Sequence, residues 1–280
     1  MGGPAAERAD ADPDGSRRSQ GRLSLPSRLL ARLARALGPG RALVAILDYD
    51  GTLTPIVGRP EAARLALATR ATLAALAAHP RVTLAVLSGR ALADVRRRVG
   101  VARAVYGGCH GLEIAGPDLR RRHPAARRAP LAAARRMLAR AARELPGARV
   151  EWKGLAVSFH YRQVAAARRG EAHAVAARVA RRWPGLVVVA GHRVYDFVPR
   201  VGWTKGHAAR WIVARATPGR PGRAAVVYAG DDTTDEAAFV ALKGRAVTVR
   251  VGPGPTAADH RVRGVRDVHA MLRWIVAALA

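Results

Sequence analysis

The sequence predicts an α/β fold, a parallel sheet with helices on both faces and a smaller α/β unit inserted into it. Short apolar runs alternate with helical stretches over residues 42–108 and again over 204–279. Runs such as ALVAILD (42–48) are apolar at successive positions, the pattern of strands buried on both faces. Between about 115 and 200 the alternation breaks, and a hairpin with its own helices reads as an insertion. In sheets of this kind the ligand crevice lies at the carboxyl ends of the strands.

Residues 1–22 are rich in Gly, Pro, Ser and charge, so the chain is expected to begin with a disordered basic tail, taken as 1–24. Segment 27–37 (SRLLARLARAL) sets Leu29, Leu30, Leu33 and Leu37 at helical spacing between arginines. It reads as a surface helix capping the core, with a basic membrane-touching helix as the alternative. ALVAILD is the first strand. A long helix is expected over about 60–78, opened by Pro60. VTLAVLS (82–88) is a second buried strand, leading through Gly89 into a helix around 91–98, and ARAVYGG (102–108) is a third. The insert holds a helix at 131–145, then ARVEWK (148–153) and LAVSFHYR (155–162) joined at Gly154 as a hairpin. A helix over 165–182, LVVVAG (186–191) and RVYDFVP (193–199) complete it. A helix near 204–215, AAVVYAG (224–230), a helix from 233, RAVTVRV (245–251) and a closing helix at about 267–279 follow. The expected domains are a core of 25–114 with 200–280 and an insert of 115–199.

Half the residues are apolar, enough for a sizeable core, and no run approaches the roughly 18 uncharged apolar residues of a membrane span. The N-terminal stretch mixes acids with bases and lacks the apolar block of a secretory signal. Cys109 is the one cysteine, which excludes an intrachain disulfide and suits a cytoplasmic protein. A net charge of +28 suggests nucleic acid. However, the 48 basic residues are arginines apart from Lys153, Lys205 and Lys243, and they spread along helices instead of gathering beside aromatics. A solvated face accounts for them, so no nucleic-acid or membrane partner is expected. From Asp48 onward there are only 16 Asp and Glu, and six of these fall in Asp48/Asp50 and Asp231/Asp232/Asp235/Glu236. Concentrated carboxylates are costly unless something cationic sits between them.

Asp48-Tyr49-Asp50-Gly51-Thr52-Leu53 follows the first strand. Two carboxylates at a strand end that turns through Gly suit aspartyl nucleophilic catalysis, one attacking phosphorus and the other acting as acid and then base. An ordinary strand-ending Asp-Gly turn is the bland alternative. Ser88-Gly89-Arg90 ends the second strand, where a hydroxyl and backbone N–H groups make a phosphate cradle, or a plain helix cap. Lys205-Gly206 opens the helix after the insert, and its ammonium can neutralise both phosphate and nucleophile. Gly230-Asp231-Asp232-Thr233-Thr234-Asp235 has carboxylates without His or Cys, which suits a hard cation such as Mg²⁺. Helix capping by Asp232 with Asp235 explains one of these acids but hardly all three.

Together these four segments, in this order and at strand or helix ends, resemble the haloacid dehalogenase superfamily. Further segments narrow the resemblance: Thr54-Pro55-Ile56-Val57, Tyr106-Gly107-Gly108-Cys109-His110-Gly111-Leu112-Glu113, Glu151-Trp152-Lys153 and His160-Tyr161-Arg162. They are similar to those of trehalose-6-phosphate phosphatases, over about residues 42–275. The resemblance implies a Rossmann-like core with an inserted cap closing over a sugar phosphate, last in trehalose biosynthesis. It implies Asp48 as nucleophile and Asp50 as general acid/base, with Ser88 and Lys205 on the phosphate. Mg²⁺ would be held by the Asp48 carboxylate, the Asp50 carbonyl and Asp231, with Asp232 beside them. Thr52, Gly89, His110, Glu113, Lys153, His160, Arg162 and Asp196 are the substrate-binding candidates.

On the strand 155–162, Ser158, His160 and Arg162 alternate with Val157, Phe159 and Tyr161, which gives one polar and one apolar face. The family usually has Gly-Lys-x-x-x-Glu-x-Arg-Pro near the end of the cap. Here the segment is Gly191-His192-Arg193-Val194-Tyr195-Asp196-Phe197-Val198-Pro199, with Asp one methylene shorter than Glu and Val198 in place of Arg. A monomer acting on trehalose 6-phosphate is expected. The alternatives are sucrose phosphate or mannosyl phosphoglycerate as substrate, a silent sugar-phosphate sensor, or a nucleic-acid binder using the arginine surplus.

Overall fold

The computed structural model describes residues 25–124, 130–218 and 224–280; the tail at 1–24 lies outside them. Two sheets organise the described residues. The larger has eight strands in the order β12-β11-β10-β1-β2-β3-β4-β5, the smaller four in the order β6-β7-β9-β8. β1 (Ala42–Asp48) lies at the centre of the larger sheet, parallel to β2 (Val82–Leu87) on one side and β10 (Ala224–Gly230) on the other. β3 (Val105–Gly108) pairs with β2, β11 (Val247–Val251) with β10, and β12 (His260–Val262) with β11, all parallel. The chain leaves β1 toward β2 and later returns to its other edge as β10. This reversal places the crevice at the carboxyl ends of β1, β2 and β10.

β1 is buried on both faces, as its unbroken apolar run requires. Leu43, Ala45 and Leu47 join one core layer with α1 (Ser27–Ala36), α2 (Leu67–Ala78) and α8 (Val265–Leu279). Val44 and Ile46 face the other layer, with α6 (Lys205–Ala216) and α7 (Thr233–Ala241). α1 buries Leu29 and Leu33 completely against the first layer, so it caps the core. The remaining helix, α3 (Leu92–Val99), packs beside β3.

The smaller sheet is antiparallel, made of β6 (Arg149–Trp152), β7 (Val157–His160), β8 (Leu186–Gly191) and β9 (Val194–Pro199). Val157, Phe159 and Phe197 face α4 (Leu131–Glu144) and α5 (Arg169–Arg182) in a separate core. The other face of this sheet turns toward the larger one.

Several boundaries differ from the sequence reading. The helix expected over 60–78 is a 3₁₀ turn at Pro60–Ala62 followed by α2, because Ala63 and Ala66 are extended. Antiparallel β4 (Glu113–Ala115) and β5 (Arg120–Arg122) extend the larger sheet. That sheet therefore runs past the expected domain boundary at 115. β5 reads Arg-Arg-Arg, which has no apolar face to announce a strand.

Candidate functional site

The cleft between the two sheets opens at the carboxyl ends of β1, β2 and β10. Lys205, the first residue of α6, is buried, and its Nζ donates to Asp48 Oδ1 at 2.6 Å and to Asp235 Oδ1 at 2.8 Å. Asp235, on the first turn of α7, also accepts from the Tyr228 hydroxyl at 2.7 Å and from the backbone N–H groups of Asp231 and Asp232. Tyr228, Asp235 and the β10 end thus hold the ammonium on Asp48.

Asp48, Asp231 and Asp235 each place a carboxylate oxygen within 4.8 Å of the others. Three carboxylates against one ammonium leave two negative charges to be balanced. Burial pushes Asp48 up from the usual carboxylate range, and Asp235 and Asp231 add to this, outweighing the pull of Lys205. Burial and then the charge of Asp235 push Asp231 up to about 7. The donors are all hard oxygens, so the cluster fits a divalent cation of the Mg²⁺ class.

Gly51 is what lets Asp231 approach. It has φ +85°, and a Cβ there would lie 2.0 Å from Asp231 Oδ2. Thr52 donates to Asp231 Oδ1 at 3.1 Å. Asp50 turns its carboxylate to Arg90, which donates from Nε at 2.7 Å and from Nη2 at 2.6 Å. Ser88 follows β2 directly and lines the cleft beside Gly89.

His110 follows β3 at φ +60°, next to Cys109 at +48°. Two consecutive left-handed non-glycine residues mark local strain beside a site. This turn drives the His110 ring over Gly89, where a Cβ would meet it at 2.8 Å. His110 Nε2 lies 2.9 Å from Asp196 of β9. Asp196 also accepts from Lys153 Nζ at 3.1 Å and from the Ser158 hydroxyl. The carboxylate is almost fully buried; burial opposes its charge, but Lys153 and His110 together hold it well below the usual range. On the same wall, His160 Nε2 lies 2.9 Å from Glu151. Arg162 donates to the carbonyls of Val57 and His192.

The structure brings Asp48, Asp50, Ser88, Gly89, His110, Lys153, His160, Arg162, Asp196, Lys205, Asp231 and Asp232 to one cleft. Three expectations need correction. Thr52 is buried and does not line the cleft; its hydroxyl holds Asp231. Glu113 lies across from Arg122 on the β4–β5 ladder, 3.8 Å from its guanidinium and away from the cleft. Asp232 caps α7 through the Thr233 N–H at 2.8 Å and stands outside the three-carboxylate cluster, whose third member is Asp235. Arg90 and Glu151 also line the cleft. Both stand inside sequence segments singled out above, so the signal for them was present.

A family profile described as trehalose-phosphatase matches residues 46–263, a span that includes each strand-end carboxylate of the cleft. The chain belongs to the trehalose-phosphatase family. It is 42% identical over 208 residues to the trehalose-phosphate phosphatase of Mycobacterium avium, an alignment covering 73% of this chain and 52% of the relative. The chain thus spans about half the length of the curated relatives it matches. It is 28% identical to the Aspergillus fumigatus trehalose-6-phosphate phosphatase structure, with a TM-score of 0.60 over 89% of this chain and 97% of the other. The C-terminal domain of the C. albicans trehalose-6-phosphate phosphatase shares the fold alone. It has a TM-score of 0.77 at 22% identity, covering 89% of this chain and 98% of that domain. Membership also frames the departure at Asp196. Both oxygens of this Asp are taken up by Lys153, Ser158 and His110.

Proposed function

We propose that this chain is a Mg²⁺-dependent phosphatase that converts trehalose 6-phosphate to trehalose and phosphate. The observation that carries the reading is the meeting of Lys205 with Asp48 at 2.6 Å, beside Asp50, Ser88 and Asp231 in one cleft. A structural salt bridge needs one carboxylate; this ammonium faces two, with a third at hand. Membership of the trehalose-phosphatase family supports the substrate.

In the proposed reaction Asp48 attacks phosphorus and the bond from phosphorus to the sugar oxygen breaks. Asp50 gives its proton to that oxygen. Asp50, now a carboxylate, takes a proton from water, whose oxygen attacks phosphorus and releases Asp48 and phosphate. Lys205 and Ser88 bind the phosphate oxygens. The Asp48 and Asp231 carboxylates with the Asp50 carbonyl would hold Mg²⁺, which supplies charge neutralisation at the phosphate. The cleft encloses about 140 Å³, below the ~300 Å³ at the small end of ligand pockets. Entry of a disaccharide phosphate therefore requires the two sheets to separate.

A second reading, a relative acting on another sugar phosphate such as sucrose 6-phosphate, is favoured by one observation, the engagement of both Asp196 oxygens by Lys153, Ser158 and His110. Phosphate release from trehalose 6-phosphate, sucrose 6-phosphate and glucose 6-phosphate, in Mg²⁺ and in EDTA, tests both. Selective, Mg²⁺-dependent release from trehalose 6-phosphate is the expected result. Preference for another sugar phosphate would leave the chemistry and move the substrate; release from none would overturn the phosphatase reading.

A further inference from the structure

We infer that Arg90 is a positioning residue that aims the general acid Asp50, an assignment that rests on the acid/base role proposed for Asp50. The pair is side-on and bidentate: Nε reaches one Asp50 oxygen at 2.7 Å and Nη2 the other at 2.6 Å, so the guanidinium plane sets the carboxylate plane. Arg90 is itself fixed on every side. Its Nη1 donates to Asp94 at 2.9 Å, Nη2 donates also to the Pro60 carbonyl at 2.8 Å, and its guanidinium lies 5.2 Å from the Tyr49 ring centre. Asp94 is in turn held by Arg97 and Arg98, each at 2.7 Å. Within the cleft the Arg90 side chain reaches the Asp50 carboxylate and the Pro60 carbonyl, and its backbone N–H donates to the Ser88 hydroxyl at 3.1 Å.

A purely stabilising role fits the geometry poorly. The Arg90 side chain is 7% exposed but that of Asp50 is 40% exposed, and ion pairs with a solvated partner contribute little to folding. What the pair does provide is direction. Asp50 follows β1 at the turn through Gly51, where among the described residues Arg90 supplies the side-chain hydrogen bonds to its carboxylate. Both of its oxygens are engaged by Arg90. Giving a proton to the sugar oxygen therefore requires one of the two bonds to open, while the other keeps the group aimed. Arg90 touches Asp50 and not the reacting phosphorus, so its effect runs through Asp50.

This predicts a dependence on the leaving group. A sugar alkoxide leaves only with a proton, whereas the nitrophenolate of p-nitrophenyl phosphate leaves without one. With the full chain, Arg90→Met is expected to slow single-turnover release of trehalose from trehalose 6-phosphate by about 100-fold, the lower end of a general-acid contribution. KM should change little, and the pre-steady-state burst of p-nitrophenolate, which precedes the water-activating step of Asp50, should slow by no more than about threefold on the same reasoning. Arg90→Lys, which keeps one charged donor, should recover part of the loss. The double variant Arg90→Met/Asp50→Asn should be no slower than Asp50→Asn alone, because two changes along one path do not add. Equal losses on both substrates for Arg90→Met, with Asp50→Asn still selective, would overturn the inference. So would additive losses in the double variant. If Asp50→Asn itself slowed first-step release of both leaving groups equally, the general-acid role of Asp50 would fail first, and the two failures are told apart. The Lys variant guards against misreading a folding defect.

Discussion

Asp48 and Lys205 stand 157 positions apart in sequence, yet their charged atoms meet at 2.6 Å because each ends or begins an element at the same rim of one sheet. The close approaches around them depend on missing side chains. Gly51→Ala would put a methyl 2.0 Å from Asp231 Oδ2 in a backbone with φ +85°. A displacement of about 1 Å at such a site costs roughly 100-fold in rate. We therefore predict a loss of at least that order in kcat at saturating Mg²⁺, with the far-ultraviolet circular dichroism unchanged. Wild-type turnover in the variant would contradict this role for Gly51. The carboxylates and Lys205 were legible in the sequence because acids are scarce in this chain and lysines scarcer. Asp235 was read as a capping partner of Asp232, which it also is. Its place beneath Lys205 depends on the fold bringing α6 against α7, and no local spacing reveals that. Thr52 was misread for a similar reason, since its partner Asp231 lies 179 positions away.

Strands carry the same logic to the next scale. The continuous apolar runs of β1, β2 and β10 announced a buried parallel sheet, whereas β5 and β12 are three-residue edge strands without a hydrophobic signature. In β7 Phe159 joins the core and His160 lines the cleft, whereas Ser158 is fully buried and donates to Asp196. The sequence did not show that β9 would lock Asp196 between Lys153, Ser158 and His110. That lock has a measurable consequence. Asp196→Asn would leave the buried Lys153 ammonium without this partner, at a cost of about 3 kcal/mol, the low end for breaking a buried pair. The folded Asp196 titrates below its unfolded value. Its contribution is therefore complete above about pH 4, the unfolded carboxylate range, and fades as pH falls toward the folded value. Denaturant midpoints of wild type and Asp196→Asn should differ at neutral pH and converge under acid. A gap that stays constant from pH 7 to pH 3 would contradict the lock.

Across the whole molecule, the two units meet through a buried apolar cluster of Cys109 and Leu112 with Leu155, Ala156 and Val198, and through a few polar bonds at the cleft. Arg162 of the smaller unit donates to Val57 of the larger, Thr233 of α7 donates to the Ala190 carbonyl at 3.2 Å, and His110 meets Asp196. Closure over substrate is the function proposed for these bonds. Arg162→Ala is predicted to raise KM for trehalose 6-phosphate by about tenfold, the worth of one charge-assisted hydrogen bond. The thermal midpoint should shift by no more than a few degrees. An unchanged KM would remove Arg162 from the closing contacts. The arginine surplus that gives the chain its +28 charge lines the outer faces of α4 and α5, with Arg135, Arg136, Arg178 and Arg181 exposed.

The central claim is that Asp48 takes the phosphoryl group before water does. The most direct measurement is the stereochemical course at phosphorus, with trehalose 6-phosphorothioate made chiral by oxygen isotopes and turned over in isotopically labelled water. Two successive in-line displacements, first by Asp48 and then by water, predict retention of configuration. Inversion would mean that water attacks the substrate directly, and would contradict Asp48 as the nucleophile.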